Sequence, residues 1–145
     1  MKRIILLAFL CTTTLVMAQR INHVQEAIAN YDYEAALTLI AKEKPTIPLL
    51  LQKGKAQRGL GMNTEALSTY QEIITNDTAN TRAYIEAAEC CRSLAKYQQA
   101  LKYYEQALDL NPENKYVRIQ YIGLLLSLQK FQDALGESSL MTEKD

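Results

Sequence analysis

Tryptophan is absent from this 145-residue chain, and His23 is its only imidazole. A general base works only when a scaffold holds it against its nucleophile, so one His near the N-terminus leaves catalysis without its commonest part. Gly-rich phosphate loops and metal-ligand spacings of Cys and His are missing as well. The chain therefore reads as a non-enzyme with no catalytic, cofactor or metal site. Its formal net charge is zero, which removes the bulk attraction that a nucleic acid or an anionic membrane would need. Breakers are scarce, with five Gly and three Pro, while 48% of residues are hydrophobic. That content is too apolar for a disordered chain, and an abundance of Ala, Leu, Gln, Glu and Lys favours helix.

The first residues have a different character from the rest. Met1-Lys2-Arg3 is a short basic start, Ile4 to Leu10 is apolar, and Leu15-Val16-Met17-Ala18 precedes Gln19. Small side chains three and one residues before a cut suit signal peptidase, so residues 1–18 read as an export signal cleaved after Ala18. A membrane span needs roughly 20 apolar residues, and Arg20 closes this run too early. Cys11 admits a lipoprotein reading, although Leu10 before it is larger than the usual small residue. Loss of Lys2 and Arg3 would leave 14 basic against 16 acidic residues, a mature chain near −2. Export to the periplasm or cell envelope is the expectation, with the extracellular space as the alternative and no membrane contact after cleavage.

Cys90 and Cys91 are then the remaining thiols, and they are adjacent. Neighbouring side chains on a helix diverge by about 100°, whereas a disulfide needs its Cβ atoms within about 4.5 Å. They read as small apolar packing residues.

The dipeptide Ala-Leu recurs at Ala36, Ala66, Ala100 and Ala134, the last three 34 residues apart and the first 30 before the second. A fixed period of this size marks a solenoid of supersecondary units, none of which buries its apolar face alone. The clearest unit spans 81–114. Tyr84, Ala87, Ala88 and Cys91 share one helical face; Tyr97, Ala100, Leu101, Tyr104, Ala107 and Leu108 give a second; Asn111-Pro112 stops it. The spacing predicts helices near 20–30, 33–43, 47–60, 63–76, 81–94, 97–110, 115–128 and 131–142.

The pattern Tyr84-x2-Ala87-Ala88-x2-Cys91, Ala100-x3-Tyr104, Pro112 resembles the tetratricopeptide signature. Small residues let two antiparallel helices approach, and Tyr84 and Tyr104 fill the space beside them. The neighbouring units match less fully: Lys53 and Gln57 stand where apolar residues are expected, Ile122 replaces a small residue, Ser138 replaces an aromatic, and Pro45 cuts the first unit short. The resemblance implies an all-α, right-handed superhelical solenoid of about four antiparallel helix pairs over 19–145, with units near 19–46, 47–80, 81–114 and 115–145.

It also implies a concave face lined by the first helix of each pair, where family members commonly hold a peptide or partner helix. On this chain that face would carry Leu51, Lys55, Arg58, Arg82, Ile85, Glu89, Arg92, Tyr116 and Ile119. Four of the nine are basic and one is acidic, a mildly positive groove suited to an acidic or C-terminal carboxylate segment. The family's carboxylate-binding subset places a Lys and an Asn one turn apart on a first helix; Leu51 and Lys55 take that spacing here, so that specificity is not implied. The implied function is a protein- or peptide-binding scaffold. Two alternatives are an assembly subunit that stacks through solenoid ends and the front of a longer repeat protein. The last pair, with Ile122, Leu125, Leu126, Phe131, Leu135, Leu140 and Met141, is apolar enough to predict self-association at its outer edge.

Overall fold

The computed structural model describes residues 20–142, so the expected export signal lies outside the described residues. Every element among them is helical. Helix α1 runs over 20–29, and is followed by α2 (Tyr33–Ile40), α3 (Ile47–Gly59), α4 (Asn63–Asn76), α5 (Thr81–Ser93), α6 (Tyr97–Leu110), α7 (Lys115–Ser127) and α8 (Phe131–Thr142). None of these helices is long and apolar enough to cross a membrane. The chain divides into two compact units, the first ending at Met62 and the second beginning at Asn63. The division falls inside the second sequence repeat, between its two helices.

The turn inside each repeat uses one device. Tyr31, Gly61, Ala95 and Gln129 all have left-handed backbones, with φ of 61°, 75°, 55° and 59°. After each, an amide closes the end of the preceding helix: Asp32 N–H to Ala27 O at 2.8 Å, Met62 to Gln57 at 2.9 Å, Lys96 to Cys91 at 2.8 Å and Lys130 to Leu125 at 2.9 Å. This is the Schellman closure, which satisfies carbonyls that a helix end leaves open. Its positions repeat at 30, 34 and 34 residues, the same intervals as the Ala-Leu pairs. Between repeats the entry to the next first helix is capped by Asn80, whose Oδ1 accepts from Ala83 N–H at 3.1 Å. Asn114 does the same for Val117 N–H at 3.1 Å, one period later. Thr46, one period before Asn80, makes no such bond, and a Pro in the first turn of α3 presets the backbone instead.

The repeated alanines lie where the helices cross: Ala36, Ala66 and Ala100 are fully buried and Ala134 is 3% exposed. In the first unit Val24, Ile28, Ala36, Ile40, Leu49 and Ala56 form the core. There the ring of Tyr33 lies so close to Gly59 that an added Cβ would meet it at 2.4 Å. In the second unit Tyr70, Tyr104, Ile73, Cys90 and Cys91 are fully buried. Neither of these buried thiols is in a disulfide.

Two expectations need correction. Helix α2 ends at Ile40 rather than near 43: Lys42 N–H and Glu43 N–H bond only three residues back, to Leu39 and Ile40. The approach to Pro45 tightens and then ends the helix. Tyr97, assigned to the apolar face of α6, is 43% exposed; it is the first residue of its helix and projects beyond the crossing.

A non-Gly residue in the left-handed region carries a steric cost that Gly escapes. Ala95 is exposed, so its methyl contributes no packing. Ala95→Gly is expected to stabilise the protein by about 0.5–1 kcal/mol, read as a higher urea midpoint at unchanged slope. A lower midpoint would show that this turn does not limit the repeat.

Candidate functional site: the first-helix faces

The nine expected groove residues fall in both units, and each unit has its own face. In the first unit Leu51, Lys55 and Arg58 follow one stripe of α3, with Lys55 exposed and the other two half-buried. In the second unit Arg82 is exposed on α5, while Ile85, Glu89 and Arg92 are half-buried. On α7 Tyr116 and Ile119 stand out, 59% and 53% exposed.

Glu89 and Arg92 prove to be engaged within the protein. Tyr104 is wholly buried on α6, and a buried phenol must find a partner. Its hydroxyl donates to Glu89 Oε1 at 2.5 Å and accepts from Arg92 Nη1 at 3.2 Å. The same Nη1 donates to Gln120 Oε1 on α7 at 2.8 Å and pairs with Glu89 at 3.5 Å. One cluster thus joins α5, α6 and α7. Burial, and then the bond to Glu89, push the Tyr104 hydroxyl well above the usual tyrosine range. The hydrogen bond to Tyr104 raises the Arg92 guanidinium further still. Of the two arginines on this face, Arg82 is exposed, whereas the Arg92 guanidinium is already shared among Glu89, Tyr104 and Gln120, so the second unit's face is less positive than residue counting implies.

What replaces charge is apolar surface. Tyr116, Ile119, Gly123 and Leu126 lie at i, i+3, i+7 and i+10 on α7, one helical stripe. Leu126 is 49% exposed, and a Cβ built on Gly123 would meet nothing within 4 Å. Sequence reasoning placed the first two on this face, assigned Leu126 to the outer edge of the last pair and left out Gly123. The signal was available: Gly123 and Leu126 stand one 34-residue period after Glu89 and Arg92.

Two further polar links hold the α7 stripe in place. Arg118, only 8% exposed, pairs with Glu137 of α8 and donates from Nη2 to Pro112 O at 2.8 Å. Tyr121 donates to Glu105 Oε1 at 2.6 Å; burial first, and Glu105 second, push its hydroxyl up.

Residues 51–115 and 92–143 each match a family model described as the tetratricopeptide repeat. Residues 51–143 are tetratricopeptide repeats. Human "Tetratricopeptide repeat protein 6" is 30% identical over 89 residues, which is 61% of this chain and 16% of that protein. Among solved structures, a tetratricopeptide repeat protein from Parabacteroides merdae superposes with a TM-score of 0.77 at 23% identity, over 88% of this chain and 54% of that one. This chain therefore spans about half of that bacterial relative and a small part of the human one. The first TPR domain of Spaghetti (RPAP3), solved with the HSP90 peptide SRMEEVD, gives 0.71 at 20% identity, over 77% of this chain and 92% of that one. The likeness extends the tetratricopeptide fold across most of the described residues, including the first unit, whose α1–α2 turn uses the same left-handed closure.

The buried hydroxyls of Tyr104 and Tyr121 and the Cys91 thiol, whose burial outweighs the opposing Lys96 charge, are all raised above their ordinary values. Each is neutral when protonated, so the folded state holds these protons more tightly than the unfolded chain. Their contribution is complete below the unfolded values, about 8.5 for a thiol and about 10 for a phenol. It is lost as pH rises through the folded values. Unfolding free energy should accordingly fall above pH ~9, by at most about 1.4 kcal/mol per pH unit for each group. Tyr104→Phe should flatten this decline in urea titrations run across the alkaline range. An identical slope in the variant would remove Tyr104 from the account.

Proposed function

We propose that this protein is a non-catalytic scaffold that holds a partner peptide or helix on its first-helix faces. The observation that carries the reading is the exposed stripe Tyr116, Ile119, Gly123 and Leu126 on α7, beside the cluster that engages Arg92. Aromatic and aliphatic side chains around an open glycine suit an apolar residue of a partner. Arg82 on α5, and separately Lys55 on α3, suit acidic residues flanking it. Leu51, Arg58, Ile85 and Glu89 complete the proposed surface. The peptide held by the RPAP3 domain, SRMEEVD, has acidic residues, which supports this chemistry by analogy of fold.

Co-purification from the native host tests it. Tyr116→Ala, Ile119→Ser and Leu126→Ser together remove exposed apolar surface and should leave the melting temperature nearly unchanged. Recovery of specific partners should fall about tenfold or more, and Arg82→Glu alone should lower it further for acidic partners. Equal recovery by the triple variant would rule out the α7 face.

We further propose that residues 1–18 direct export and are removed after Ala18, placing the scaffold in the periplasm or cell envelope. The basic start, short apolar run and small residue at the cut support this.

A second reading is favoured by one register comparison. Leu67 and Leu101 are 5% and 4% exposed, but Leu135, one period later, is 66% exposed, with Phe131 one turn before it on α8 at 61%. The apolar face of α8 is what a following helix would cover. Sedimentation of the chain from Gln19 to Asp145, its start confirmed by intact mass, should show concentration-dependent association that Leu135→Lys abolishes. A monomer at every concentration that binds no apolar dye would overturn this reading.

A further inference from the structure

The first unit contains a cleft between α2 and α3. Its origin is the four residues missing from the first repeat interval. Helix α2 has 8 residues, whereas its counterparts α4 and α6 have 14 each. In α6 the last turns bring Ala107 and Leu108 into the core, 0% and 7% exposed, and in α4 Ile73 is fully buried. Counting by the repeat intervals, the positions of Ala107 and Leu108 correspond to Glu43 and Lys44, which lie past the end of α2. Helix α2 contributes no apolar residue beyond Ile40 here, and a cleft of about 410 Å³ remains between the two helices. That volume is in the range of small-molecule sites.

The lining is chemically divided. Ile40, Leu49 and Leu50 form a buried floor, 9%, 3% and 6% exposed. Ala41, Lys44 and Pro45 form an exposed rim, with Lys53 half-buried on α3 beside them. Lys53 occupies a core-facing register position, held in the next two repeats by Ala87 and Tyr121. Its ammonium and that of Lys44 pair with no described residue. The one carboxylate in the lining, Glu43, is already bound by Arg20 at 2.6 Å and is not available to them. The cleft therefore has a largely apolar floor, with Gln57 as its buried polar member, and a net positive mouth.

We propose that this cleft binds an aliphatic monocarboxylate of medium chain length, its tail on Ile40, Leu49 and Leu50 and its carboxylate between Lys44 and Lys53. Tail burial supplies the affinity, and the lysines select an anion over a neutral or cationic head. The same chemistry is carried by a free fatty acid and by a peptide ending in an aliphatic residue with a free carboxylate. The site is independent of the α7 stripe, so failure of the partner experiments leaves it standing.

The test is titration of the full mature chain with octanoate, followed by methyl NMR of Ile40, Leu49 and Leu50. Saturable shifts confined to these methyls are expected, with 1-octanol and octylammonium binding more weakly. Lys44→Gln and Lys53→Gln should each weaken octanoate by about two- to fivefold. Lys53→Met keeps the apolar stem, loses the charge, and should raise the melting temperature while weakening octanoate. A leucine-terminated peptide that binds only with a free carboxylate, where octanoate does not, would assign the same chemistry to a chain terminus. Absence of saturable shifts from either ligand up to about 10 mM, or equal binding of octanol, would overturn the proposal.

Discussion

The structure depends on a chain reversal made within three residues. A helix can fold back on its predecessor over so short a connection only if one residue adopts a left-handed backbone and the departing amide returns to the helix it has left. Tyr31, Gly61, Ala95 and Gln129 do this at matching positions. Where both helices of a pair lie in one unit, as α5–α6 and α7–α8 do, they then pack against each other. The small side chains at Ala100 and Ala134 follow as a steric requirement. Larger residues are admitted only beside the crossing, where Tyr70 and Tyr104 are found.

Much of this was legible in the sequence because it is periodic. The Ala-Leu spacing, the stop at Asn111-Pro112 and the cut at Pro45 set the helices to within three residues. The left-handed turns were less legible, because only Gly61 carries the residue that usually marks them; Ala, Tyr and Gln at the other three leave no compositional trace. The first-helix faces were half legible. Register placed Tyr116 and Ile119 correctly on an exposed face. It could not show that Arg92 and Glu89 are drawn toward Tyr104, since that depends on a contact between helices 12 and 15 residues apart in sequence. Arg118 was missed for the same reason: its partners, Glu137 and the Pro112 carbonyl, lie on other segments.

The irregular first repeat illustrates how a solenoid acquires chemistry. In the regular repeats, apolar residues at the end of the second helix occupy the space beside the following first helix. Removing four residues takes away that filling and leaves polar side chains where packing would otherwise have excluded them. Lys53 and Gln57 look like defects in the pattern until the shortened helix is seen. Gln57, 7% exposed, lines the cleft beside Leu49, Leu50 and Lys53.

Arg92 lies on a first-helix face and is also part of the frame of the second unit. Its guanidinium spans from Tyr104 on one repeat to Gln120 on the next, so it acts as a strut between successive first helices. A partner carboxylate that captured this arginine would have to release the strut. The spacing of α5 and α7 would then become a variable that the partner controls. A ligand that leaves Arg92 alone and uses the α7 stripe would instead meet a surface of fixed pitch. On the proposed reading, partners would differ in whether they deform the second unit, as well as in what they touch.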